Sequence, residues 1–219
     1  MNFFQLLIRL IEIYDRVEGQ TLTRPQILSR IRRAIPFKEC KVVSNYTLNV
    51  QSNRFDVIGV YFPEIDEDGL APIELEVAMP KHKSSYTFDD DDLTKEDWVE
   101  NCIDLACTLG HEFVHMEQFR RRQFRYAKEY GGDVSAKTKS SAQLYYGNPD
   151  EIDAYAFIAA ANMSISLMTH GRPTPIETTN VYILYKRLFD KKHPIVLKLT
   201  RLGNRYYKRL EKQYYDTYR

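Results

Sequence analysis

The chain has 219 residues, of which 43% are hydrophobic and 28% charged, a composition that is typical of a folded globular protein and excludes a disordered one. Its three cysteines form no CxxC pair, which excludes a disulfide framework and favours the reducing cytoplasm. The net charge of +1 hides an asymmetry: residues 1–119 contain 12 basic and 21 acidic residues, whereas residues 120–219 contain 19 basic and 9 acidic ones. This asymmetry indicates either a basic surface for an acidic partner or two solvated faces of opposite charge.

Two N-terminal helices are predicted, over residues 2–18 and 24–35. The first is apolar but carries charged residues at helical intervals, and no small-residue cleavage site follows it. It is therefore interpreted as an amphipathic helix and not as a signal peptide. The second begins after Thr23, a suitable N-cap. No run of about 18 uncharged apolar residues is present, so no membrane span is predicted.

Three strands are predicted next, over residues 41–50, 55–62 and 72–79. The first and third alternate apolar and polar side chains, whereas 55–62 is apolar on both sides and is predicted to be the central strand. The connections are too short for helical crossovers, so we expect a mostly antiparallel sheet. Residues 81–93 are predicted to form a loop. Its four aspartates, Asp89–Asp92, lack the spacing of an EF-hand and are interpreted as solvated.

The next helix contains the motif His-Glu-Phe-Val-His. It begins after Thr94 as N-cap and carries one buried stripe. His111 and His115 are four residues apart, so their imidazoles project from the same face and can bind one Zn²⁺ ion at about 2.0–2.1 Å. Glu112 lies beside them, where a general base would be placed. The motif therefore predicts a zinc site with a hydrolytic function.

The third zinc ligand is expected on a second helix. A catalytic zinc ion usually has three protein ligands and one open position, and no histidine follows the motif at a short step. After a polar loop over roughly 131–147, a helix is predicted to begin at Asn148 with Pro149 in its first position. Glu151 in the first turn of that helix is the preferred third ligand.

Glu151 also has other interpretations. A glutamate in the third position after an asparagine cap is what a capping box requires. Asp150, Asp153 and His170 are the other candidate ligands. Asp150 and Asp153 could instead fix the tautomer of a metal-binding histidine.

The segment GHEFVH, followed by EIDAYAFI, resembles the small HExxH zinc peptidases of the gluzincin kind. It is similar to the ImmA/IrrE-like and SprT-like minimal domains of bacteria and their phages. In the former the downstream pattern is Glu-x-x-Ala-x-x-Phe, which Glu151, Ala154 and Phe157 match in register. The resemblance covers roughly residues 40–165 and implies an α+β, minimal zincin-like fold. In such a fold a small three-stranded, mostly antiparallel sheet packs on the HExxH helix, with N-terminal and C-terminal helices around it.

The resemblance implies that the chain is a zinc metallopeptidase, a hydrolase that acts on a protein or peptide substrate. His111, His115 and Glu151 would bind the zinc ion. Glu112 would take the proton of a metal-activated water that attacks the peptide carbonyl, and would pass it to the leaving amine.

Two further parts of such a site have candidates in the chain. Tyr145, Tyr146 and Tyr155 lie near the ligand helix and can donate a hydrogen bond to the oxyanion. The strand 72–79 is a candidate edge on which an extended substrate could lie.

Two C-terminal helices are predicted, over 177–189 and 194–217. The second interleaves basic and aromatic side chains, which predicts an amphipathic helix packed on the domain. Nucleic-acid binding or docking in a virion are the other interpretations. The alternative function is accordingly a structural or binding protein, a virion component or nucleic-acid binder, that retains zinc without peptidase activity. If the protein is phage-borne, it could be virion-associated.

The chain contains no internal repeat or low-complexity linker, so residues 1–219 are predicted to form one domain. Its parts are the N-terminal helices (1–36), a zincin-like metallopeptidase core (37–168) and a C-terminal helical extension (169–219).

Overall fold

The computed structural model describes residues 2–35, 37–44, 54–62, 73–80, 83–123, 125 and 138–218. This part of the chain is mixed α+β and mostly helical, in agreement with the predicted class. Its strands are β1 (Thr21–Thr23), β2 (Cys40–Ser44), β3 (Asp56–Tyr61), β4 (Ile73–Ala78) and β5 (Ser85–Thr87). Its α-helices are α1 (Phe3–Val17), α2 (Arg24–Ala34), α3 (Lys95–Arg121), α4 (Lys139–Gly147), α5 (Pro149–His170), α6 (Asn180–Phe189) and α7 (Pro194–Tyr218).

The chain divides into two compact units, Met1–Glu112 and Phe113–Arg219. In the first unit the core surrounds Trp98, which is completely buried near the start of α3. Its indole N–H donates to the carbonyl of Leu10 in α1 at 2.9 Å. The rings of Phe88 and Phe55 lie 5.3 and 6.1 Å from it, centroid to centroid. The buried indole thus links α1 to α3 through both apolar contact and a satisfied hydrogen bond.

The three-stranded sheet of this unit differs from the predicted one in order and direction. Its order is β2-β4-β3, in which β4 pairs parallel with β2 and antiparallel with β3. The central strand is therefore 73–78, and the prediction that 55–62 is central was wrong. The sheet is therefore mixed, since β4 has one parallel and one antiparallel neighbour. Residues 45–53 of the first predicted strand and its following turn lie outside the described residues.

The predicted loop 81–93 contains strand β5, which pairs antiparallel with β1. After it the carboxylate of Asp89 accepts two backbone N–H groups of its own turn, at 3.1 and 2.9 Å. The carboxylate of Asp92 accepts from the N–H of Thr87 at 2.7 Å and from the ammonium of Lys83. Two of the four aspartates therefore stabilise the turn itself.

In the second unit α5 forms the centre of a helical core and packs against α4, α6 and α7. The helix α4 was not predicted and lies within the expected loop 131–147. The buried apolar core contains Ile152, Ala156, Ala159, Met163, Ile176, Val181, Tyr182, Tyr185, Val196 and Leu199. Gly171 ends α5 with a φ of 69°, a left-handed conformation that glycine adopts without strain.

Among the described helices α5 alone is long and apolar enough to cross a membrane, with a mean hydropathy of 1.2 over its most apolar window. Of that window 56% is buried inside the structure, which is typical of the core helix of a folded unit. The burial accounts for the apolar composition of α5 without a membrane.

Candidate metal centre

The motif histidines lie on α3, whose ends are stabilised by local interactions. The N–H of Asp97 donates to the hydroxyl of Thr94 at 3.1 Å, which confirms the predicted N-cap. The first turn is acidic and the last turn basic, as the helix dipole favours. Since α3 continues without interruption through residues 111–115, the two histidines share one face of the helix.

The third predicted ligand comes from the first turn of α5. The side chain of Asn148 accepts from the N–H of Asp150 at 2.9 Å, and Pro149 occupies the first helical position, so the predicted helix start is confirmed. The N–H of Asn148 donates to the carbonyl of Tyr145 at 3.1 Å, and not to Glu151 as a capping box requires. The carboxylate of Glu151 instead lies with its Oε1 atom 3.4 Å from Nε2 of His115.

His111, His115 and Glu151 form a cluster in which one possible ligand atom of each lies within 4.8 Å of the others. Two imidazole nitrogens and one carboxylate oxygen are a donor set that suits a divalent metal ion. Ligands about 2.1 Å from a tetrahedral ion lie about 3.4 Å apart, so the separations fit a common ion. His111 and Glu151 are almost completely buried, with 7% and 5% of their surface exposed. The cluster is therefore compatible with a metal site.

Gln118 determines which nitrogen of His115 faces the cluster. The side-chain amide N–H₂ of Gln118 donates to the carbonyl of Asp150 at 3.0 Å and to the carboxylate of Asp153 at 3.3 Å. Both partners are acceptors only, so this end of the amide must be the nitrogen. The amide oxygen then lies 3.0 Å from Nδ1 of His115, which must carry the proton. His115 consequently directs the lone pair of Nε2 toward Glu151.

The two aspartates of α5 support this arrangement indirectly. Asp153 accepts from the side-chain amide of Gln118 at 3.3 Å, and Asp150 forms an ion pair with Arg122 at 2.7 Å. We predicted that an aspartate contacts a histidine directly and fixes its tautomer. In the structure Asp153 contacts Gln118, and Gln118 contacts His115, a role of Gln118 that was not predicted. A glutamine three residues after His115 on the same helix was the available signal, because such residues are neighbours.

Asp153 and His170 do not belong to the cluster, although both are described. The carboxylate of Asp153 accepts instead from the side-chain amide of Gln118. His170 is at the other end of α5, about 28 Å from Glu151 along the helix at a rise of about 1.5 Å per residue.

Glu112 is 6% exposed and packs against a glycine of strand β3. A Cβ atom at Gly59 would lie 2.6 Å from Cγ and 2.7 Å from Oε1 of Glu112, and 2.8 Å from Cγ2 of Thr108. No side chain fits there without displacing the carboxylate or the strand. The expected packing of the sheet on the motif helix is therefore present in this unit, and Gly59 makes room for Glu112.

A group of tyrosines surrounds the first turn of α5. Burial, together with the charge of the nearby Glu151 carboxylate, raises the pKa of Tyr145. Burial likewise raises the pKa of Tyr155, whose ring lies 5.1 Å from that of Tyr146. These hydroxyls therefore stay protonated at neutral pH. Their predicted role as oxyanion donors stays a prediction.

Comparison of the chain with protein-family models, curated proteins and solved structures finds no match. What the structure supports is a mixed α+β fold and a buried His-His-Glu cluster that could hold a metal ion.

Proposed function

We propose that the chain is a zinc-dependent metallopeptidase in which His111, His115 and Glu151 hold the metal ion and Glu112 is the general base. The observation that supports this most strongly is the convergence of three possible ligand atoms within 4.8 Å. Two of the three residues, His111 and His115, lie on either side of Glu112 in the same helix. Three protein ligands leave one position open, as catalytic zinc sites require. A structural zinc site needs four ligands and no general base.

The donor set fits zinc, since Zn²⁺ accepts both imidazole nitrogen and carboxylate oxygen. Because Nδ1 of His115 donates to Gln118, the lone pair of Nε2 is directed toward Glu151. It is therefore available to bind a metal ion between the two residues. A bound zinc ion would act as a Lewis acid that polarises the substrate carbonyl and lowers the pKa of a water toward about 7.

The proton transfers are assigned to Glu112. Its carboxylate accepts the proton of the attacking water and delivers it to the nitrogen of the leaving amine as the peptide bond breaks. Burial of Glu112 and its contact with Gly59 restrict the directions in which the carboxylate can point. A fixed carboxylate loses little freedom in the transition state.

We expect the peptide substrate to lie along strand β3. The sequence pointed to 72–79 as the edge, but β4 occupies the centre of the sheet and both its sides are paired. Among the described strands β3 is an outer one, and its Gly59 faces Glu112. An extended peptide added to this edge would hydrogen-bond through its main chain.

Metal analysis combined with a matched pair of variants on α3 tests the proposal. The purified protein should bind about one Zn²⁺ per chain. Glu112→Gln should keep the zinc and cleave denatured protein about 10²–10⁴-fold more slowly than the wild type. Glu117→Gln, the same change at an exposed site of the same helix, should cleave like the wild type.

A chain that binds no zinc after metal replacement would refute the metal site. If wild type and Glu112→Gln both bind zinc but cleave nothing, the alternative applies, in which the protein has a structural or binding role and its zinc is not catalytic.

A further inference from the structure

The basic side chains of α7 lie along one face of the helix. They recur at steps of three and four residues over about 21 Å of helix, at a rise of about 1.5 Å per residue. This basic stripe consists of Lys198, Arg201, Arg205, Lys208 and Lys212. The opposite face carries the buried residues Val196, Leu199, Gly203 and Leu210. The packing of α7 therefore leaves the stripe at the surface, and only Lys198 is half-buried.

One end of the stripe borders a pocket of about 190 Å³ within the second unit. Lys198, Arg205 and Arg209 of α7 line it from one side, and Arg121 from the end of α3 lines it from another. None of these four cations forms an ion pair with another described residue. The volume exceeds the ~30 Å³ of one water several times, so a polyatomic anion has room.

Asp153 is the one carboxylate among the residues that line the pocket. Its Oδ2 atom already accepts from the side-chain amide of Gln118 at 3.3 Å. Four positive charges thus face one negative charge that has another partner. Such a group of like charges is unfavourable by itself and attracts an anion.

The residues that line the pocket and the stripe favour a nucleic acid over an acidic peptide as the anion. Three of the four cations are arginines, whose planar guanidinium binds phosphate oxygens in pairs. The guanidinium of Arg209 lies over the ring of Tyr206 at 5.8 Å. Farther along α7, Tyr215 and Tyr218 expose 46% and 54% of their surface. Exposed aromatic rings beside a cationic stripe provide surfaces on which bases can stack. An acidic peptide would interact with the cations alone, so the rings favour a nucleic acid.

We propose that this pocket and the basic stripe of α7 bind the phosphodiester backbone of a single-stranded nucleic acid. The site uses no proposed metal ligand and is independent of the peptidase. Its sequence preference is expected to be weak, because backbone charge and stacking dominate.

The test measures binding of a fluorescein-labelled oligo(dT) by anisotropy at several salt concentrations. The four pocket cations and the three further cations of the stripe (Arg201, Lys208 and Lys212) make seven possible phosphate contacts. At a slope of about 0.7 per contact, the affinity should fall about 900-fold between about 50 and 200 mM salt. The triple variant Lys198→Gln, Arg205→Gln, Arg209→Gln keeps four of these contacts, so the same salt change should lower its affinity only about 50-fold.

The matched control removes three exposed cations of the same unit that lie elsewhere: Lys139→Gln, Lys186→Gln, Arg187→Gln. This variant has the same net charge as the other triple variant but should retain the wild-type salt dependence. Equal loss in both triple variants, or binding of polyglutamate as tight as that of oligo(dT), would overturn the proposal. Absence of oligo(dT) binding at about 50 mM salt would also overturn it. Zinc content should be the same in all three proteins, which separates this result from that of the peptidase.

Discussion

The Nδ1 atom of His115 lies 3.0 Å from the side-chain oxygen of Gln118, and this contact selects the nitrogen that His115 can offer to a metal ion. The orientation of Gln118 is fixed in turn, because its N–H₂ group faces a carbonyl and a carboxylate. One glutamine of α3 thus contacts both His115 of the same helix and the first turn of α5. It acts on the site by positioning His115.

Replacement of Gln118 tests this role. Gln118→Ala removes the acceptor of the Nδ1 proton, so His115 can turn or change tautomer, and metal affinity should fall about 10–100-fold. Titration against a chromophoric chelator measures the effect. Gln143→Ala is the control, because that amide also donates to a backbone carbonyl, that of Leu188 at 2.6 Å, but lies outside the cluster. Equal metal affinity in wild type and Gln118→Ala would contradict the positioning role.

Glu151 and Asp153 should differ in their effect on metal binding. Glu151→Ala removes a ligand and should lower the affinity by more than the ~10–100-fold typical of an outer residue. Asp153→Ala acts only through Gln118 and should stay within that range. Calorimetric titration of metal into the metal-free variants makes the comparison. If Glu151→Ala loses thermal stability but binds zinc as the wild type does, Glu151 has a structural role only.

Gly59→Ala should impair activity more than metal binding. The added methyl group would approach Cγ of Glu112 to 2.6 Å, so the carboxylate or the strand must move, at about 1–3 kcal/mol of stability. The expected result is slower peptide cleavage with unchanged zinc content. Gly203→Ala is the control. Gly203 lies on α7, far from Glu112 in the chain, and its added Cβ would be similarly close to a side chain, 2.4 Å from Ile176. Comparable loss of activity in both variants would mean that destabilisation alone is responsible.

The pair of Lys83 and Asp92 should stabilise the first unit above acidic pH. Burial raises the pKa of Asp92, but the hydrogen bonds from Lys83 and from the N–H of Thr87 outweigh it, and the net shift is downward. A folded-state pKa below the unfolded value of about 3.9 gives stability that is present above that pH. This stability is lost as the pH falls through the folded-state pKa.

Urea unfolding of wild type and Lys83→Gln over about pH 2–7 measures the contribution. The stability difference between them should be constant above about pH 5 and shrink as the pH falls below about 4. The control is Lys95→Gln, whose pair with Asp15 is more than half exposed and should matter little. A difference that does not depend on pH would show that the pair does not couple protonation to folding.

The helices that carry the site follow from local signals in the sequence. Thr94 caps α3, and Asn148 with Pro149 starts α5, because these side chains satisfy or avoid the free N–H groups of a first turn. The spacing of His111 and His115 then places both on one face. Local chemistry was sufficient in these cases.

The order of the sheet could not be predicted in the same way. Apolar alternation reports which faces of a strand are covered, and not which strands are its hydrogen-bonded neighbours. Strand β3 is apolar on both sides yet lies at the outside of the described sheet, whereas β4 is central although Glu74 and Glu76 alternate along it. The role of Gln118 likewise depends on contacts across 32 and 35 residues of chain.

Glu151 belongs to the first turn of α5, and α5 is the central helix of the second unit. An ion that binds only the folded form adds RT ln(1 + [M]/Kd) to its stability, about 4 kcal/mol at 1,000 times Kd. That is a large share of the roughly 5–15 kcal/mol by which a domain is stable at all. Loss of a bound ion would then bring the second unit closer to unfolding. Because α5 is mostly buried, unfolding would expose its apolar surface to proteases.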